Sequence, residues 1–215
     1  MLICFGLLLA ACSSDEGGTG KREVMSEPDY PEGEKKMDIP DDQVRDRMTD
    51  VLSVQAIDSV TPADCQGRVD DMTSQAEKVT DKASFTAASG GTPPSVYFEA
   101  VSKTKVDLSV FREAVEKCPD MQVTSTSPDR QHLTSQVTME PRKPPAAIDG
   151  VDAVAYRTTT VSSVPGFGAF TIKAYIGWAI VGDKTVAVRA AVQTKEFDEA
   201  AAEKFFVAAV DKARK

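Results

Sequence analysis

His132 is the single histidine of this 215-residue chain, and it limits what acid–base or metal chemistry the sequence can offer. One imidazole with no thiolate or carboxylate at ligand spacing does not make a zinc site. Ser102-Lys103-Thr104-Lys105 carries the Ser-x-x-Lys spacing used for serine acyl transfer. That chemistry needs the serine at the opening of a helix, so that the lysine lies one turn on, with Ser-Asp-Asn and Lys-Thr-Gly partners elsewhere. Here Ser102 closes a strand-like run, and neither partner motif occurs. Gly90-Gly91-Thr92-Pro93-Pro94 and Val164-Pro165-Gly166-Phe167-Gly168 lack the spacing of a phosphate-binding loop and read as turns. The expectation is a non-catalytic protein with no metal site and no cofactor. Phe167, set between two glycines, is a candidate contact residue for a ligand.

The four cysteines divide by position. Cys4 and Cys12 lie in or at the end of an apolar N-terminal run, and Cys65 and Cys118 lie in the remainder. Residues 1–11 are far too short to span a bilayer and match the apolar core of a signal peptide. The run ends Leu9-Ala10-Ala11-Cys12, which resembles the bacterial lipobox. Its small residues suit a narrow peptidase cleft, and its thiol is the nucleophile that accepts the lipid. Cys12 is therefore the expected lipidation site and mature N-terminus. Two or more acyl chains there, palmitate among them, would anchor the chain stably to the membrane. No Lys or Arg precedes Asp15, so the native start codon is expected upstream of Met1. The expected location is the extracytoplasmic face of the cell membrane. In that oxidising compartment Cys65 and Cys118, neither in a Cys-x-x-Cys, are expected to form one structural disulfide.

Residues 12–40 read as a lipid-anchored, flexible, acidic linker. The stretch after Cys12 is polar, bears Gly and Pro, and carries a net charge of −4, half of the chain's −8. Such a composition cannot offset its ordering entropy by burial, and as a coil it would reach roughly 30 Å. The overall negative charge disfavours nucleic acid as a partner.

The remaining residues, 41–215, read as one domain. Asp41 and Asp42 open a helix whose Val44, Met48, Val51 and Leu52 share a face. Thr61-Pro62-Ala63-Asp64 predicts a capped helix start, followed by Cys65, Val69, Met72, Ala76 and Val79 on one stripe. A third helix starts at Asp107, buries Leu108, Phe111, Val115 and Cys118, and stops at Pro119. Strands are expected around Val96 to Val101, over 120–126, 131–141 and 151–161, and most clearly over 168–181. There Phe170, Ile172, Ala174, Ile176, Trp178 and Ile180 alternate onto one face. A three-residue loop, Gly182-Asp183-Lys184, would set Trp178 opposite Val188, and Val186, Val188, Ala190 and Val192 would continue that face. Tyr175 falls on the other face with Thr171 and Lys173, which marks it as a second candidate contact residue. A helix from about Asp198 would bury Ala202, Phe206, Ala209 and Ala213. Strands following strands through short turns indicate an α+β fold, an antiparallel sheet packed against helices with a C-terminal helix.

An early cysteine before a helix, the Asp107-Leu108-x-x-Phe111-x-x-x-Val115-x-x-Cys118-Pro119 helix end, the strand run Thr171 to Ala191 and a final Ala- and Phe-rich helix form a pattern over 41–215. It resembles the extracellular sensor domain of mycobacterial PknH-type kinases and related actinobacterial lipoproteins of uncharacterised function. The kinase sensor domain carries two disulfides where this chain can form one. The resemblance implies ligand or signal binding in the cell envelope and supplies no catalytic residues. The expected function is thus a membrane-anchored, non-catalytic domain that recognises a small molecule or an envelope protein. The alternative is a carrier that shields a lipid or other apolar ligand.

Overall fold

The computed structural model describes residues 24–26, 29–37, 57–91, 95–126, 132–164, 168–193 and 196–215. Cys12, the helix expected over 41–52 and Phe167 lie outside them. The described elements follow the chain as β1 (Glu34–Lys36), β2 (Ile57–Thr61), α1 (Gln66–Thr80), β3 (Ser84–Gly90), β4 (Ser95–Ser102), α2 (Leu108–Lys117), β5 (Asp120–Thr126), β6 (His132–Arg142), β7 (Asp152–Val164), β8 (Gly168–Val181), β9 (Lys184–Val192) and α3 (Glu199–Ala213). All nine strands join one antiparallel sheet in the order β1-β3-β4-β9-β8-β7-β6-β5-β2. The Val- and Thr-rich second half builds its centre as a meander from β5 to β9, because β-branched side chains fit a pleated surface. The fold is α+β, with helices on both faces of the sheet.

α1 and α2 cover one face. The Asp107 carboxylate caps α2, accepting from the Ser109 backbone N–H at 2.9 Å. Leu108, Phe111, Val115 and Cys118 are all buried, as the helical spacing predicts. The disulfide joins Cys65, in the 3-10 turn before α1, to Cys118, just after α2, with Cα atoms 5.8 Å apart. The start of α1 is thereby tied to the end of α2, and the Asp107 backbone N–H donates to Gln75 of α1 near the other end, so the two helices run antiparallel. Thr61 does not cap α1. It ends β2, a strand the helical expectation overlooked, and no side-chain cap bond opens the turn.

α3 covers the opposite face. The Asp198 side chain accepts from the Ala201 backbone N–H, and Ala202, Phe206, Ala209 and Ala213 are buried as expected. Beneath them lie small strand residues. A Cβ built on Gly177 would stand 2.8 Å from the Phe206 ring, so only glycine lets the helix sit this close.

Two further expectations are corrected. β8 and β9 are joined by two residues, Gly182 and Asp183, with Lys184 already paired to Val181. Gly182 adopts φ 63°, which glycine tolerates without strain. The shorter loop pairs Trp178 with Ala187 rather than Val188. A one-residue slip exchanges faces, so Val186, Val188 and Ala190 pack under α3 while Trp178 faces α2. The second correction concerns the expected flexible linker, whose described part is folded. Val24, Met25 and Tyr30 are buried, and β1 pairs with β3. Tyr30 stacks on Phe205 of α3 at 5.6 Å, its hydroxyl meets Thr86 at 2.7 Å, and Asp29 pairs with Lys212 at 2.6 Å.

Candidate functional site

Between the sheet and α1 lies a cleft of about 340 Å³. Its floor is the face onto which β8 projects Phe170, Ile172, Ile176 and Trp178, the alternation that the sequence shows most clearly. Beside them β7 contributes Tyr156, Thr158, Thr160 and Ser162, β6 contributes Val137 and Met139, and β5 contributes Met121 and Val123. Val69, Met72 and Ala76 of α1 form the roof, and Phe111 of α2 closes one end by stacking on Trp178 at 4.4 Å. Most of the wall is apolar. The hydroxyl groups along its outer part partly satisfy one another, with Ser135 and Ser162 sharing a 2.7 Å hydrogen bond.

The polar chemistry gathers at the Trp178 end. Tyr156, Ile176 and Arg189 lie side by side on β7, β8 and β9, in register across three strands, and Trp178 is the next residue along on the same face. Burial pushes the Tyr156 hydroxyl up to about 12, opposed by the nearby Trp178 indole N–H and the Arg189 guanidinium. Trp178 Nε1 nevertheless has no acceptor in hydrogen-bond geometry, although the residue is 2% exposed. Burial pulls Arg189 below the ordinary arginine value. Among the described lining residues it is the one that carries a charge, and that charge is positive. Arg189 escaped sequence reasoning because putting Val188 and Ala190 on the Trp178 face left the arginine between them on the other. Its position between apolar residues in a long strand was the available signal.

Tyr175, expected on a polar contact face, is fully buried against Phe206 of α3, and burial raises its hydroxyl above the ordinary range. The face it occupies is a helix-covered core, so it is not a contact residue for an outside partner. Ser102 is buried at the end of β4, where its hydroxyl accepts from the Thr104 backbone N–H at 3.2 Å. That position fits a structural role. His132 begins β6, with its backbone paired to Thr126. Trp178 and Phe206, which a sealed lipid-excluding core would bring together, lie on opposite faces of the sheet. Among the described residues, no cluster of three or more His, Cys, Asp or Glu could hold a metal, and no helix is long and apolar enough to cross a membrane.

The α3 face holds a group that no motif in the sequence singles out. Glu99 is fully buried, and its Oε2 accepts from the Met25 backbone N–H at 2.6 Å. Burial pushes its carboxyl up to about 8. The Met25 hydrogen bond and Lys212 oppose that rise, and Asp29 adds to it.

No protein-family profile matches the chain, and no curated protein is similar to it. One solved structure, of an uncharacterised protein from Mycobacterium smegmatis (an Rv0999 ortholog), aligns over 73% of this chain and 76% of its own, with 14% identity and a TM-score of 0.43. Likeness at that level assigns this chain neither a family nor a function.

Proposed function

We propose that this chain is a lipid-anchored protein of the extracytoplasmic membrane face whose domain binds an apolar small molecule without transforming it. The carrying observation is the cleft of about 340 Å³, mostly apolar and bordered by the chain's one tryptophan. Cavities of this kind, roughly 300–1,000 Å³ with few polar groups, are the usual form of small-molecule sites. The cleft favours a small ligand over a flat protein partner. It also agrees with the alternative of a carrier that shields its cargo between sheet and helices. The resemblance to PknH-type sensor domains points the same way, toward recognition in the cell envelope. Anchoring rests on the Leu9-Ala10-Ala11-Cys12 sequence.

Two measurements on the full chain, expressed in an actinobacterial host, test this. Metabolic labelling with a palmitate analogue should mark the wild type and leave Cys12→Ser unlabelled and released from membranes. An unlabelled wild type would remove the anchor. Cys12→Ser, purified without detergent, should carry apolar molecules detectable by native mass spectrometry, or take up an added acyl-chain probe. If it does neither, the cleft is not a ligand site.

A further inference from the structure

We infer that the ligand is a single-chain amphiphile with an uncharged, hydroxyl-bearing head, its tail at the Trp178–Phe111 end of the cleft and its head among Thr160, Ser135 and Ser162 beside Phe170. This inference rests on the cleft being a ligand site.

Three neighbouring strands change chemistry in the same direction along the cleft floor. Away from Trp178 the lining passes from Met121 to Ser125 on β5, from Met139 to Ser135 on β6, and from Tyr156 to Thr160 and Ser162 on β7. The antiparallel register collects these hydroxyls at one end. Ser135 pairs across the strands with Ser162, Ser162 with Phe170, and Thr160 with Ile172 one row deeper. The Ser135–Ser162 hydrogen bond uses one hydroxyl hydrogen, which leaves the pair a second hydrogen and further lone pairs for a ligand. None of the described residues lining this end is charged. Arg189 lies deeper, in the row of Tyr156 and Ile176, and is engaged within the protein. An ionic head would leave water for a site without an opposite charge, which is costly. A hydroxyl both donates and accepts, as the serine and threonine side chains do, so a diol or sugar head matches them in both senses.

The deep end fits an alkyl chain. Trp178, Tyr156, Met121 and Met139 are buried there, and Phe111 closes the end by stacking on Trp178. Phe170, Ile172 and Thr160 are only half-buried, so the described walls open at the hydroxyl end, where a head would meet water. From Trp178 to Ile172 the strand extends about 20 Å at roughly 3.3 Å per residue. An acyl chain occupies half of a bilayer core, about 15 Å. At about 340 Å³ the volume lies at the small end for ligand cavities, which suits one chain rather than a two-chain lipid. Glycerol and sugar heads share the required chemistry.

The test titrates Cys12→Ser, full length and free of detergent, with five probes that share a twelve-carbon chain, each below its micelle concentration. They are glycerol monolaurate, dodecyl glucoside, methyl laurate, laurate and dodecyltrimethylammonium, read by calorimetry. Trp178, the chain's one tryptophan, supplies a second signal in its fluorescence. At least one of the two polyol heads should bind about tenfold tighter than methyl laurate and tighter than either ion. Whichever polyol leads identifies the head as glycerol or sugar. Thr158→Val with Thr160→Val keeps the side-chain shape and removes two hydroxyls. It should weaken the leading polyol by about tenfold and leave methyl laurate within about threefold, whereas Thr160→Ser should keep much of the preference. If the double valine variant does not fold, the five-probe series on Cys12→Ser decides alone. Polyols that bind no tighter than methyl laurate or the ions would overturn the hydroxyl-bearing head and leave the ligand site standing, as would a valine variant that loses nothing. Binding by none of the five would remove the ligand site, and this inference with it.

Discussion

Glu99→Gln should remove a pH dependence that the fold carries in its interior. The carboxyl is fully buried on β4 under α3, with one oxygen accepting from the Met25 backbone N–H and the other without a donor. Burial raises it from 4.5 to about 8 against the pull of Met25 and Lys212. Between those values the folded chain holds a proton that the unfolded chain has released, so stability must fall as pH rises. The contribution is whole below 4.5 and lost as pH rises through about 8. One pH unit within that window is worth about 1.4 kcal/mol. From pH 5 to pH 7 the wild type should therefore lose about 2–3 kcal/mol through this group. Glutamine has the same shape, keeps an acceptor for Met25 and does not titrate. Urea unfolding of both full-length chains, disulfide intact, gives the stability gap at each pH, and titrations common to both chains cancel in the difference. The gap should shift in favour of Glu99→Gln by about 2–3 kcal/mol between pH 5 and pH 7. A gap that stays constant within about 0.5 kcal/mol would show that Glu99 titrates as an ordinary carboxyl, and the account of the buried N-terminal contact would fail.

Removing the disulfide with Cys65→Ala and Cys118→Ala should cost about 4 kcal/mol, because the bond closes a loop with a sequence separation of 53. A loss below about 1 kcal/mol in urea unfolding would mean that the helices hold that loop closed without it. Gly177→Ala should destabilise the domain by about 1–3 kcal/mol, since the new methyl would meet the Phe206 ring at 2.8 Å. Adding Phe206→Leu should recover part of that loss in thermal melts. An unchanged melting temperature for Gly177→Ala would contradict the close approach of α3.

What the sequence disclosed depended on how far each element obeys a simple periodicity. α2 and α3 have acidic caps and an apolar residue every three or four positions, and their buried sets match the structure. β8 was legible because six apolar residues alternate without interruption. β9 was misplaced because its face depends on the loop, and two residues instead of three reverse every side chain. β3 reads Ser-Phe-Thr-Ala-Ala-Ser-Gly, with residues too small to announce a strand, yet small residues are what the α3 face accommodates. The described residues Val24, Met25, Asp29 and Tyr30 looked like tether by composition. Their placement depends on tertiary partners, Glu99, Thr86, Phe205 and Lys212, that no local pattern reveals. The cleft was half legible, with Phe170 and Trp178 assigned to the correct face and Arg189 missed.

Residue size divides the labour between the two faces of the sheet. Under α3 the strands present Ala88, Ala155, Gly177, Ala179 and Ala190 to a helix that answers with Ala202, Ala209 and Ala213. Small residues on both sides let helix and sheet approach closely, and Phe205 and Phe206 fill what is left. On the opposite face Trp178, Tyr156, Met139 and Phe111 hold the layers apart, and α1, tied at its start by the disulfide, roofs the cleft with Val69, Met72 and Ala76. On the proposed reading, binding belongs to the cleft face alone, while both faces contribute to stability. Substitutions such as Gly177→Ala act on the tightly packed side and should leave affinity for an acyl-chain probe nearly unchanged in the folded fraction. Substitutions along the roof such as Met72→Ala act where the layers are already separated, and should change affinity for that probe more than stability.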